Sequence, residues 1–159
     1  MLNVKMIVLG TLKEEYWRSA AAEYEKRLGA FCKFEMIQLK EERLSDRPTE
    51  GEIRQALDRE ADAILARIPK KAFPIALCVE GKQMTSEELA DTLAQISEKS
   101  GELCLIIGSS FGLSERVKEA CRMRWSVSKL TFPHQMMRVL LLETVYRGFN
   151  ILKGTGYHK

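Results

Sequence analysis

The chain reads as a single α/β domain over residues 1–159, a parallel sheet with helices on both faces. Three observations predict this. The runs Val4–Leu9, Phe73–Val79 and Leu103–Ile107 are nearly all apolar, so both faces of those strands need covering. Between them stand segments with apolar residues at helical spacing, and strands alternating with helices build parallel crossover units. No repeat, low-complexity tract or long linker divides the 159 residues, which are enough to bury one sizeable core.

Each element has its own signal. Val4–Leu9 is a short strand closed by Gly10. Glu14–Leu28 carries Tyr16, Trp17, Ala20, Tyr24 and Leu28 at helical spacing, and Gly29 stops it. Phe31–Leu39 alternates apolar with charged residues, as a strand with one polar face or an edge position does. Lys40–Pro48 is charged and aperiodic, an exposed loop. Thr49-Glu-Gly-Glu52 is a capping box for a helix through Ile53, Leu57, Ile64, Leu65 and Ile68, ended by Pro69. Phe73–Val79 is a strand ending in Glu80-Gly81-Lys82, and Thr85 with Glu88 caps a helix over Ser86–Lys99. Leu103–Ile107 runs into Gly108-Ser-Ser-Phe-Gly112, and Ser114 opens a short helix to about Met123. Trp125–Val127 is a last short strand, and Pro133–Leu152 is a long helix with proline in its first turn. Ligands of such sheets bind beyond the carboxyl ends of strands, here Glu80–Lys82, Gly108–Leu113 and Val127–Phe132.

Composition narrows the class. Hydrophobic content of 45% and charged content of 30% belong to an ordinary soluble globule. The N-terminus has no signal-peptide pattern and no apolar run reaches the ~18 residues of a membrane span, so a cytoplasmic location without membrane contact is expected. Cys32, Cys78, Cys104 and Cys121 are widely spaced and form no CxxC. They read as buried reduced thiols, with no metal site. Positive charge gathers at one end. Arg116 to Lys159 holds nine lysines or arginines against Glu119 and Glu143, while the whole chain carries only +3. That suggests a local polyanion site, for which Arg138, Lys153 and Lys159 are candidate phosphate contacts.

The final helix is apolar around most of its circumference, from Met136 to Leu152. It must be buried on more than one side, either by a second copy of the chain or as a central helix of one copy. Arg138 and Arg147 on such a helix need an anion or carboxylate, and Glu143 stands four residues before Arg147. Ser126, Ser128 and Thr131 suit turn formation before Pro133. Gly108–Gly112 is neither GxGxxG nor a phosphate loop.

Ser128-Lys-Leu-Thr-Phe-Pro-His-Gln-Met-Met-Arg-Val-Leu140, then Glu143, Tyr146-Arg147 and the ending Tyr157-His158-Lys159, is similar to the RlmH family. These are SPOUT-class (α/β-knot) methyltransferases acting on N3 of a pseudouridine in 23S large-subunit ribosomal RNA. Ile106–Leu113 resembles that family's Ile-Gly-Gly-x-x-Gly-Leu loop, with Ser109 where a second glycine is usual, and Val79-Glu-Gly-Lys82 resembles its strand-end Gly-Lys. The likeness spans the chain.

The resemblance implies a trefoil-knotted C-terminal half, a homodimer, a 70S ribosome or its rRNA as partner, and S-adenosylmethionine as donor. It places that donor against Leu77, Gly108 and the loop of Val127, Ser128, Lys129, Leu130, Thr131 and Phe132. Arg147, Tyr157 and His158 become the catalytic candidates: a cation or neutral imidazole beside N3 favours loss of its proton, and tyrosine can stack on a base. Which of the three handles the proton stays open. Two other readings compete, a non-catalytic RNA- or ribosome-binding protein using the same basic end, and a nucleotide-dependent transferase.

Overall fold

A computed structural model describes residues 1–159, and the apolar runs form its sheet. β1 (Leu2–Leu9) lies between β2 (Cys32–Leu39) and β4 (Glu102–Ile106). β3 (Phe73–Gln83) pairs with β4 on one side and with β5 (Met123–Ser126) on the other. The order is β2-β1-β4-β3-β5, parallel throughout. As expected from its alternation, β2 is an edge strand.

Alternating side chains of β1 serve two cores. Val4, Met6 and Val8 pack beneath α1 (Glu15–Leu28), α3 (Ser86–Lys99) and α5 (His134–Lys153), among Leu28, Leu93 and Leu141. Ile7 and Leu9 point the other way, toward Ile64 of α2 (Glu50–Arg67) and Val117 of α4 (Glu115–Ala120). Both expected capping boxes form. Thr49 Oγ1 accepts from Glu52 N–H at 3.1 Å and Thr85 Oγ1 from Glu88 N–H at 3.1 Å, with each glutamate returning a bond to its cap residue. Each is typically worth ~1 kcal/mol to helix stability.

Four expectations need correction. β3 does not stop at Val79 but runs on through Glu80-Gly81-Lys82, because its pairing with β5 breaks after Leu77 and resumes at Lys82. Gly81 lets this happen. A Cβ there would lie 2.7 Å from backbone atoms of Arg124 and Trp125. The helix after Ser114 ends at Ala120, leaving Met123 to open β5. Pro133 is the N-cap of α5 in extended backbone rather than part of its first turn. The four cysteines are free, but only Cys32 and Cys104 are buried; Cys78 and Cys121 are half-buried.

α5 occupies the middle of its layer, over the sheet and flanked by α1 and α3. Much of its all-round apolar pattern is therefore satisfied within one chain. Leu141, Leu142, Val145 and Phe149 are buried, while Met136, Leu140 and Ile151 on the outward side are only half-covered. No helix is long and apolar enough to cross a membrane.

Candidate functional site

A cavity of about 660 Å³ opens at the carboxyl edge of the sheet. Leu77 and Cys78 from β3, the Gly108–Leu113 loop after β4 and the loop after β5 converge on it. Of the eight positions expected around a donor, Leu77, Gly108, Val127, Ser128, Leu130, Thr131 and Phe132 line this one cavity, and Lys129 alone does not. His134 and Met137, at the start of α5, close another side.

Local chemistry shapes the walls. Ser126 Oγ donates to Ser128 O at 2.8 Å and Ser128 Oγ accepts from Leu130 N–H at 3.0 Å, so both hydroxyls hold the loop in its turn, as their types suggested. The backbone amides of Val127 and Thr131, both lining residues, find no partner within the chain. They are free to read a heterocycle's edge, while Leu77, Val127 and Phe132 offer it apolar surface. Gly108 is required by the loop itself. A Cβ there would stand 2.3 Å from Gly112 O and 2.9 Å from Leu113 Cγ, so any side chain would force the loop open. The rim carries one ion pair, Lys118 with Glu80, whose carboxyl the ammonium holds below the usual range.

Ser109 adds a link that the sequence reading missed. Its Oγ donates to Glu60 Oε1 at 3.1 Å, and Glu60 Oε2 accepts from Glu42 N–H at 3.0 Å. Glu60 is 4% exposed, and burial raises its carboxyl above the ordinary value. One side chain of α2 thus ties the glycine loop to the loop following β2. The signal was available, since Glu60 falls between Leu57 and Ile64 on the buried stripe of its helix.

Arg147, Tyr157 and His158 also come together, but elsewhere. Beyond α5, Gly154 turns the chain with φ 64° and Thr155 N–H donates to Asn150 O at 3.2 Å, so the tail folds back along the helix. Arg147 donates to Glu143 Oε1 at 2.7 Å and Oε2 at 3.4 Å, the pairing its spacing suggested. Tyr157 O–H donates to Glu143 Oε1 at 3.0 Å, and its ring lies 4.7 Å below the Arg147 guanidinium. Burial, and then the Glu143 bond, push the Tyr157 phenol up to about 12. It is therefore a hydrogen-bond donor near neutral pH, not a base. His158 Nδ1 is 3.2 Å from Arg147 Nη1 and its Nε2 is 3.0 Å from Glu87 Oε1. Guanidinium can only donate, so this arrangement selects the tautomer protonated at Nε2. Glu87 was not anticipated from sequence, since the capping box around it, Thr85 to Glu88, signals a helix start and not a bond to the tail.

This cluster does not reach the cavity within one chain. Arg147 lies ten residues beyond Met137 on one helix, roughly 15 Å at the helical rise.

The basic end looks different in space. Arg116 pairs with Asp58 and Asp62, Lys118 with Glu80, Arg124 with Glu115 and Arg147 with Glu143. Arg138, expected as a phosphate contact, is 2% exposed, and its Nη2 donates to Leu9 O and Gly10 O. It anchors α5 to the end of β1 instead. Lys153 and Lys159 are exposed, as an RNA contact requires. No group of three or more histidine, cysteine or acidic side chains is arranged to hold a metal ion.

A family model described as "Predicted SPOUT methyltransferase" matches residues 2–158. The chain is 45% identical over 159 residues to a Streptococcus thermophilus protein named ribosomal RNA large subunit methyltransferase H, covering 99% of this chain and 100% of that one. It is 42% identical, with the same coverage, to a Bacillus pumilus protein of the same name. Among solved structures, a probable methyltransferase from Bordetella pertussis superposes with TM-score 0.58 at 16% identity, over 93% of this chain and 96% of that one. A probable methylase family protein from Haemophilus influenzae gives 0.57 at 13% identity, over 100% and 72%. These last two likenesses concern the fold.

Proposed function

Because the chain belongs to the SPOUT methyltransferase family, we propose that it moves a methyl group from S-adenosylmethionine to N3 of a pseudouridine in 23S large-subunit ribosomal RNA, as a homodimer acting on the ribosome. The observation that carries this reading is the convergence of three strand-end segments on one cavity, with unpartnered loop amides beside apolar walls. Such a site suits adenosine, whose edge needs hydrogen bonds and whose faces need apolar contact.

The donor, when bound, supplies an electrophilic methyl group on a sulfonium. The N3–carbon bond forms as the carbon–sulfur bond breaks, S-adenosylhomocysteine leaves, and the N3 proton passes to a base or to water. The chain's contribution is alignment and charge. Arg147 is a cation suited to stabilising the N3 anion, Tyr157 a donor and stacking surface, and His158 a proton acceptor at Nδ1 once its contact with Arg147 is released. Since these residues stand far from their own cavity, the reading requires that the tail of one protomer serve the cavity of its partner. A trefoil crossing of the C-terminal half accords with the broken β3–β5 register and the close approach at Gly81.

The test is methyl transfer from labelled S-adenosylmethionine to ribosomes from cells lacking the protein, with mass spectrometry of the 23S RNA. Label on a single pseudouridine is expected. Absence of transfer to ribosomes and to free rRNA, with no thermal shift from S-adenosylhomocysteine, would overturn the proposal. RNA binding without donor binding would leave the non-catalytic reading.

A further inference from the structure

A second cleft, of about 560 Å³, shares no residue with the donor cavity. It lies between the C-terminal half of α3, the amino ends of β3 and β5, and the far end of β3 at Lys82. Four cations line it, Lys71, Lys82, Lys99 and Arg122, and no aspartate or glutamate does. We propose that this cleft is a phosphate-binding site for the sugar–phosphate backbone of ribosomal RNA, gripping the substrate away from the methylated nucleotide. The proposal rests on the rRNA reading above and adds to it a surface outside the basic C-terminal tail.

Charge pairing is the first argument. All four cations are exposed, and none takes part in an ion pair. Arg116, Lys118, Arg124 and Arg147, from the same basic segment as Arg122, are each neutralised by a carboxylate. Four cations that no carboxylate compensates thus meet around this one cleft.

Their origin is the second argument. Residues 71, 82, 99 and 122 come from the approach to β3, its far end, the last turn of α3 and the approach to β5. Lys99 alone would be explained by the helix C-terminus that it follows. Four like charges around one concavity would not, and a bound anion relieves the part of their repulsion that solvent leaves unscreened.

Geometry is the third. The Arg122 guanidinium lies 5.6 Å over the Phe73 ring, which fixes its plane against the cleft wall and leaves its N–H edges for phosphate oxygens. The Gln95 side chain in the same wall makes no hydrogen bond within the chain and offers a neutral donor. Met123 of the cleft and Ser126 of the donor cavity are the two ends of strand β5, three residues or roughly 10 Å apart by the strand rise. An RNA strand several nucleotides long can occupy both.

The test compares the wild-type protein with the triple variant Lys71→Gln, Lys99→Gln, Arg122→Gln. A control triple removes exposed, unpaired cations outside the cleft: Lys26→Gln, Lys33→Gln, Arg54→Gln. Binding to ribosomes or rRNA is measured across a salt series, with S-adenosylhomocysteine affinity by calorimetry as the check on folding and on the donor cavity. Removing three phosphate contacts should lower RNA affinity by one to two orders of magnitude near 0.1 M salt and flatten the slope of log K against log salt by about two units. KM for RNA should rise with kcat and donor affinity unchanged, and lysines replaced by arginine should restore binding. The control should shift the slope much less. If the cleft variant keeps the wild-type slope and affinity, or falls no further than the control, the cleft is not a phosphate site. If the wild-type protein itself neither binds nor methylates rRNA, the cleft proposal falls together with the function it rests on; a wild type that methylates beside an unaffected variant sinks the cleft alone.

Discussion

Two residues concentrate what single side chains do here. Glu60 holds two loops and does so from a buried position, at a cost. Because burial raises its pKa, the folded chain keeps that proton to higher pH than the unfolded chain does. The stabilising contribution is thus complete below the ordinary carboxylate range and is lost as pH rises through the folded value. Glu60→Gln should therefore gain stability relative to wild type as pH climbs from acid to neutral, since the amide keeps hydrogen bonds without the charge. Glu60→Ala should lose ~1–3 kcal/mol, leaving Ser109 Oγ and Glu42 N–H without their partner. Urea unfolding at several pH values checks both, and a flat Gln-minus-wild-type difference would refute the burial argument. Tyr157 makes the opposite case, a titratable group kept out of titration. With its phenol pushed up to about 12, the pH–rate profile of Tyr157→Phe should retain every inflection near neutrality shown by the wild type. Any loss, of roughly tenfold, should appear in kcat as the missing bond to Glu143. Disappearance of an inflection would mean that Tyr157 ionises during turnover.

At the scale of elements, β3 is the most demanding piece of chain. It pairs with β5, leaves it, and pairs again, with Gly81 at the closest backbone approach. Gly81→Ala places a methyl carbon against backbone that has no rotamer to change, so a loss of ~2 kcal/mol or more is expected, larger than for a helix-surface substitution. Thermal unfolding of that variant, beside Gly51→Ala where the nearest atom would be 3.9 Å away, measures the difference. An equal cost at both sites would show that the approach is slack. β3 also shows where sequence reasoning stops. Apolar runs, capping boxes and helix periods located all ten elements within a few residues, because local chemistry determines them. Glu80-Gly81-Lys82 reads locally as a strand end, and only the partner strand, forty residues later, makes it a strand interior. The site divides in the same way. Motif resemblance marked Leu77, Gly108 and the Val127–Phe132 loop, which do converge, whereas the local pattern around Glu60 and Glu87 shows a buried stripe and a helix start but not their partners, which are distant in sequence. Arg138 was misread because charge counted along a segment says nothing about which cations the fold will bury.

For the whole molecule, the decisive fact is separation. The donor cavity gathers at the start of α5 and the Arg147–Tyr157–His158 cluster toward its end, ~15 Å away along one rigid helix. A helix cannot bend to close that gap, so the proposed chemistry, which uses both halves, calls for the proposed homodimer, two chains related by a two-fold axis with each lending its tail to the other. The half-covered outward residues Met136, Leu140 and Ile151 offer apolar surface for such a contact. This makes a sharp prediction for mixed dimers. One variant carries Leu130→Arg, a charge in the cavity wall at a residue 69% exposed, so folding should be kept while donor binding fails. The other lacks residues 154–159, keeping the cavity but losing Tyr157 and His158. Each alone should be inactive by about two orders of magnitude or more, the truncated form with normal affinity for S-adenosylhomocysteine. Mixed in equal amounts and allowed to exchange, half of the dimers carry one of each, and in each of these a single intact cavity faces a single intact tail. Activity should return to about a quarter of wild type. Sites built within one protomer would give no recovery, since every chain in the mixture is missing one half. Recovery without dimers in sedimentation would show that the halves meet only on the ribosome.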